Sequence, residues 1–158
     1  MAATGVLGAR LYTSATPLAD VEAGADAIGD FQALTITTEV GLVESFTEVG
    51  KVYDVVPFVP ISSGRTHKLK GPYNSGQFTV TVAQDLTDAG QAALLSYVVG
   101  DQNTDPFKLT YVGADANYDT HYFGAKVMSF RTILGAANSV MRATIVLEIN
   151  TDPFIGAS

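Results

Sequence analysis

The sequence predicts a mainly β protein carrying one helix. The longest periodic runs alternate every second residue, as strands do when one face is buried. A single stretch carries a 3.6-residue apolar stripe. Hydrophobic residues make up 47% of the 158-residue chain and mean hydropathy is +0.21, enough for one domain with its own core.

Taken in order, the first strand candidate is Gly8–Thr13, followed by Phe31–Thr38 and Lys51–Val59. The cleanest alternation is Gln77–Ala83, with Phe78, Val80 and Val82 on one face. Phe107, Leu109 and Tyr111 repeat it over 106–112. His121–Leu134 is long for one strand and is expected to bend near Ser129. In Val140–Ile149, residues Met141, Ala143, Ile145, Leu147 and Ile149 face one way, and Arg142, Thr144, Glu148 and the following Asn150 the other. The β-branched and aromatic content of these runs favours strands.

The helix is predicted at about 86–99. Asp85 is read as its N-cap, Asp88 as first-turn charge, and Gly100 as a left-handed C-cap. Leu86, Gly90, Ala93, Leu94, Tyr97 and Val98 form its stripe. Gly90 costs about 1 kcal/mol against alanine, so this helix needs a sheet to lie on. Two stretches read as irregular. Glu39–Gly50 has no single period and is expected to be a mobile loop. Ile61–Gly76, which holds Arg65, Lys68 and Lys70, reads as a long excursion between strands. Loops of that length in a compact domain usually carry function.

Composition removes several function classes. There is no cysteine, hence no disulfide framework, thiolate nucleophile or Cys-ligated metal. Nine basic against 16 acidic residues give a net charge of −7, which attracts no phosphate. No apolar run is long enough to cross a membrane as a helix, and the first residues lack the basic start of a secretory leader.

Catalytic constellations are also missing. No Gly-x-Ser-x-Gly occurs, and only His67 and His121 are available as bases; ordinary loop and strand-edge roles suit both better. Asp115-x-Asn117-x-Asp119 has the spacing of a calcium loop, but Thr120 stands where the turn glycine belongs and Lys126 where the bidentate glutamate belongs. A hairpin tip is the plainer reading of those three residues. No enzyme, cofactor or metal is expected.

The order of elements carries more information than any motif. A strand at Gly8–Tyr12 is followed by Pro17-Leu18-Ala19-Asp20-Val21 and Phe31–Thr38. After the acidic loop and long excursion come Phe78–Ala83, the helix Asp88-Ala89-Gly90-Gln91-Ala92-Ala93-Leu94-Leu95, and Phe107–Tyr111. An Asp/Asn tip, Tyr122-Phe123-Gly124-Ala125-Lys126-Val127 and a last long strand complete it. This layout resembles the major tail tube protein of long-tailed bacteriophages, most closely the N-terminal domain of the lambda-type subunit, over about Gly8 to Pro153.

The resemblance implies a two-sheet β-sandwich or barrel with one flanking helix, in a single tail-tube domain over 1–158 without an added immunoglobulin-like domain. It implies a structural virion protein, assembled in the host cytoplasm, whose hexameric rings stack into a hollow tube that conducts the genome. The expected partners are further copies of itself, tail tip or baseplate, tape measure and tail terminator proteins. Double-stranded DNA would pass without tight binding, and no membrane insertion is implied. Strand edges closed into a shared barrel would no longer invite aggregation. On this reading Thr35, Thr37, Thr144 and Glu148 face the lumen, where acidic groups repel DNA. Glu39, Glu44 and Glu48 on one loop and Arg65, Lys68 and Lys70 on the other make contacts between subunits. A non-catalytic ligand- or surface-binding β-sandwich and a secretion-system tube subunit are the alternatives.

Overall fold

A computed structural model describes residues 5–18, 28–100, 102–111 and 117–157. Its strands are β1 (Arg10–Thr13), β2 (Thr38–Glu39), β3 (Val43–Phe46), β4 (Val52–Phe58), β5 (His67–Asn74), β6 (Gln77–Ala83), β7 (Asp105–Thr110), β8 (Thr120–Ile133), β9 (Arg142–Ile149) and β10 (Phe154–Gly156). The helices are α1 (Ile28–Gln32) and α2 (Ala89–Val99). The fold is therefore mainly β, in two sheets. Eight strands form one, in the order β2-β1-β7-β8-β9-β6-β3 with β10 added to β8; β4 and β5 form the other. No described helix is long and apolar enough to span a membrane.

Alternation places the core where the sequence puts it. Phe78, Val80 and Val82 of β6 and Ala143, Ile145 and Leu147 of β9 are fully buried on one face. Leu11, Phe107, Phe123 and Leu94 complete the same cluster. The large sheet curls over this core: one cleft is lined both by Phe46 and Thr47 at the β3 edge and by Ala9, Leu109 and His121 from the opposite half. β8 bends as expected, its register with β9 shifting between Val127 and Ser129, so that Met128 is the extra residue of a bulge.

Several local expectations are corrected. Phe31–Thr38 is not a strand: Phe31 lies in the last turn of α1, and the loop after the helix lays Ile36 with Phe31, Tyr122 and Leu18 as a second small core on the outer face. Only Thr38 and Glu39 pair, with β1. Glu39–Gly50 is not simply a loop, since it contains β3, hydrogen-bonded along β6. Half of Ile61–Gly76 is strand β5.

α2 starts three residues later than predicted. Its N-cap is Asp88, whose carboxylate accepts from Gln91 N–H at 3.0 Å and from Gly41 N–H at 3.1 Å. Asp85 instead binds the Thr87 hydroxyl and N–H, leaving Leu86 exposed outside the helix. Gly100 is not left-handed: its φ of −74° and ψ of −158° are extended.

Gln91 joins the helix to the sheet. This fully buried side chain donates to Gly41 C=O and Ala83 C=O, each at 2.9 Å, and accepts from Asp85 N–H at 2.9 Å. Gln91→Leu keeps the volume but strands three backbone groups at about 1 kcal/mol or more each. Urea denaturation of that variant should show a loss of about 2–4 kcal/mol. A change under 1 kcal/mol would mean that water replaces the amide.

Candidate functional site

The largest unexplained feature is an arm. β4 and β5 pair only with each other, from Val52↔Asn74 to Phe58↔His67, and project from the body as a hairpin. The turn at its tip closes through Gly64, whose N–H reaches Pro60 C=O at 3.0 Å with φ at +63°. The base is fastened by Lys51 to Asp152 at 2.8 Å and by the Ser75 hydroxyl to Thr151 C=O at 2.9 Å. The hydrogen bond from Lys51 to that carboxylate raises the lysine's pKa above its ordinary value.

Valines, a leucine and aromatics stand in solvent along it: Val52 is 66% exposed, Val55 61% and Leu69 57%. A monomer gains nothing by presenting such a contiguous apolar surface to water. Its two faces differ in chemistry. On one, the Tyr53 and Tyr73 rings lie 5.2 Å apart, Lys70 sits 4.9 Å over Tyr53 and Lys51 4.9 Å over Tyr73. On the other, His67 stacks on Phe58 at 5.3 Å, so it is a strand residue rather than a loop one. Gly71 is needed for the hairpin's close approach, because a Cβ there would lie 2.8 Å from Val56 Cγ2.

Arg65, Lys68 and Lys70 all lie on this arm, and among the described residues none has an ion-pair partner in its own chain. The acidic residues expected to meet them are elsewhere. Glu39 lies 3.6 Å from Arg10, Glu44 pairs with Arg142 at 2.6 Å, and Glu48 follows β3.

The outer face of the large sheet is the second surface. Thr144 and Glu148 both lie on it, half-buried in β9. Glu148 accepts from the Gln77 amide at 2.6 Å and stands opposite Lys126. Thr35 and Thr37 are not in the same row: they belong to the loop beside Lys108 and Tyr122, at the covered end of this face. Among the described residues of the strands there, Arg142, Arg131 and Lys126 outnumber Glu148 and Glu44.

The remaining chemical candidates do not converge. His121 packs edge-on against Tyr111, its Nε2 3.4 Å from the phenol oxygen and its Nδ1 buried without a partner. Burial lowers its pKa, holding it neutral. Asp115 lies outside the described residues, and Asp119 is bound by the Thr120 hydroxyl at 3.0 Å. Among the described residues no group of three histidines and carboxylates is placed to hold a metal.

The arm was legible only in part. The valine-rich strand stands out, but His67-Lys68-Leu69-Lys70 also alternates across a Pro60–Gly64 turn, and that pairing signal was hidden among glycines and serines.

Together, a curled sheet, a helix on its core and a projecting hairpin make up a fold shared with solved tail-tube proteins. No family model matches the sequence, and no curated protein matches it. Solved structures do. The sheath/tube terminator of the extracellular contractile injection system PVC is similar over 99% of both chains, with TM-score 0.69 at 12% identity. The SPP1 tail tube protein gives 0.65 at 12% identity over 98% of this chain and 80% of its own. The PVC sheath–tube complex contributes a chain at 0.65 and 12%, over 99% and 93%.

Proposed function

We propose that this chain is the structural subunit of a phage-type tail tube, assembling into hexameric rings that stack into a hollow conduit for the genome. The observation that carries this reading is the arm, whose apolar and cationic surface has no partner in its own subunit. Arg65, Lys68 and Lys70 would contact acidic groups of a neighbouring copy, among them Glu39, Glu44 and Glu48.

The outer face bearing Thr144 and Glu148 would line the lumen, with Thr35 and Thr37 at its margin. Two of its cations are engaged inside the subunit, Arg142 by Glu44 and Lys126 by Gln102 C=O. Such a face would pass a polyanion with part of its positive charge already occupied. The protein would work in the virion tail without catalysis.

The test is negative-stain electron microscopy of the purified protein over a concentration series, beside a variant in which residues 53–73 are replaced by a short Gly-Ser turn. Tubes of one diameter are expected from the native chain, and none from the folded deletion variant. Tubes from both would remove the arm's role, and a native protein that stays monomeric throughout would count against the whole reading. The full-length similarity to a terminator favours one second reading: rings that form but never stack would make this a terminal ring.

A further inference from the structure

The curled sheet meets itself along a seam whose two ends are closed differently. At one end the chain itself crosses. Val40 N–H donates to Leu11 C=O on the β1 half, and Leu42 C=O accepts from Ala83 N–H on the β6 half, each at 2.9 Å. Leu42 makes that turn with φ at 57°, the left-handed region that normally takes glycine. At the other end no backbone hydrogen bond joins the two halves among the described residues. β3 pairs with β6 alone, and Thr47 N–H also goes to that half, at Thr79 C=O. Here the seam is a cleft of about 390 Å³ closed by side chains, with Phe46 and Thr47 on one lip and Ala9, Leu109, Tyr111 and His121 on the other.

His121 sits in this cleft with one nitrogen unserved. Its Nε2 is 3.4 Å from the Tyr111 hydroxyl, and its Nδ1 is buried without a partner. A neutral imidazole leaves one polar atom unmet there. An imidazolium brings a full charge and two N–H donors, of which the phenol oxygen serves one. Among the described residues no charged side chain lines the cleft, and its other titratable groups are Tyr111 from β7 and Tyr118 from the turn before β8. β10 sets Ile155 opposite His121, and the segment before β1 brings Val6 and Ala9. The nearest charges in the chain are engaged or outside it: Asp119 is bound by the Thr120 hydroxyl, Arg10 lies 3.6 Å from Glu39, and Glu48 is exposed beyond Thr47. Burial accordingly shifts the histidine toward its neutral form.

We propose that His121 is a pH-sensitive latch on this seam: neutral, it lets Phe46 and Thr47 pack toward Leu109 and Tyr111, and as imidazolium it parts them. The crossing at 40–42 stays covalently intact and acts as the hinge. Linkage sets the direction. The ring protonates more readily in the open cleft than in the closed one, so the seam is held shut above the ordinary histidine value of 6.5 and loosens as pH falls below it. The latch belongs to a single subunit and operates whether or not that subunit joins a tube.

The chain has no cysteine of its own, so two spin labels can be placed without background. Glu48→Cys and Tyr118→Cys put one label on each lip of the cleft, both at exposed positions. Double electron–electron resonance then reads their separation in dilute, unassembled protein at about pH 7.5 and about pH 5, on either side of the histidine range. A longer and broader separation is expected at the lower pH, with the His121 ring resonance titrating below 6.5 by proton NMR. His121→Phe should keep the short separation at both pH values, and His121→Gln takes its place if the phenylalanine variant does not fold. A separation that stays constant while the ring becomes protonated overturns the latch. So does a ring still neutral at about pH 5, since nothing would then drive the opening. A lengthening that persists in the phenylalanine or glutamine variant overturns it as well, by assigning the opening to other groups.

Discussion

Gly90→Val is expected to leave little folded protein. A Cβ at Gly90 would lie 2.1 Å from Glu39 C=O and 2.6 Å from Val40 Cα, both backbone atoms that no rotamer change can move aside. The helix would have to lift from the end of β2, carrying away Leu94 and the Gln91 hydrogen bonds. A cost of at least ~3 kcal/mol follows for valine. Alanine should cost about 2 kcal/mol despite its gain of about 1 kcal/mol in helix propensity. Gly29 is the control, since a Cβ there meets nothing within 4 Å. Urea midpoints for Gly90→Val, Gly90→Ala and Gly29→Ala should therefore fall in that order from lowest to highest. If Gly90→Ala proved as stable as the native protein, the helix would not be held at this distance.

Phe123→Ala should be the most damaging truncation in the sheet. The ring is fully buried, stacked on Phe107 at 5.6 Å and edge-on to Phe78 at 5.3 Å, so it ties β7, β8 and β6 together. Removing it should cost about 3–5 kcal/mol, the usual range for losing a buried phenylalanine and leaving a partly collapsed cavity. At this chain length that is a fall in melting temperature on the order of 10 °C. Against a total stability of about 5–15 kcal/mol the variant would be marginal, and any assembly should shift to lower temperature with it. Phe123→Leu should recover most of the loss. A drop of only a degree or two for alanine would show that the neighbouring aromatics close the space.

The same two positions show where the sequence was readable. Phe123 lies in a run read as a strand with no face assigned, whereas alternation made the core faces of β6 and β9 legible. Period-two burial is a local pattern, stamped on each strand by one dry face. Gly90 was read as a weakness of the helix, because its reason for being glycine is a backbone fifty residues earlier in the chain. The N-cap was misplaced for a related cause. Asp85 and Asp88 are both good caps, and the choice fell to Asp88 through Gly41 N–H, a partner that is distant in sequence.

Phe31–Thr38 went wrong for a different reason. Its apolar spacing fits a strand or a helix end equally, and packing of Phe31 and Ile36 on Tyr122 decided between them. The candidate site divided in the same manner. Arg65, Lys68 and Lys70 were legible as a basic cluster in a long segment, but their place on an extended two-stranded arm was not, because β5 pairs with β4 and buries nothing in its own subunit.

The sequence by itself determined a mainly β chain with one main helix, the strands that face the core, the acidic balance and the absence of thiol chemistry. These follow from composition and short-range period, which any folded state of the chain must respect. Tertiary structure alone decided how the sheet curls, which aspartate caps the helix and which end of the body carries the arm. Those are relations between residues far apart in the chain, set by packing and backbone hydrogen bonds that no local pattern encodes.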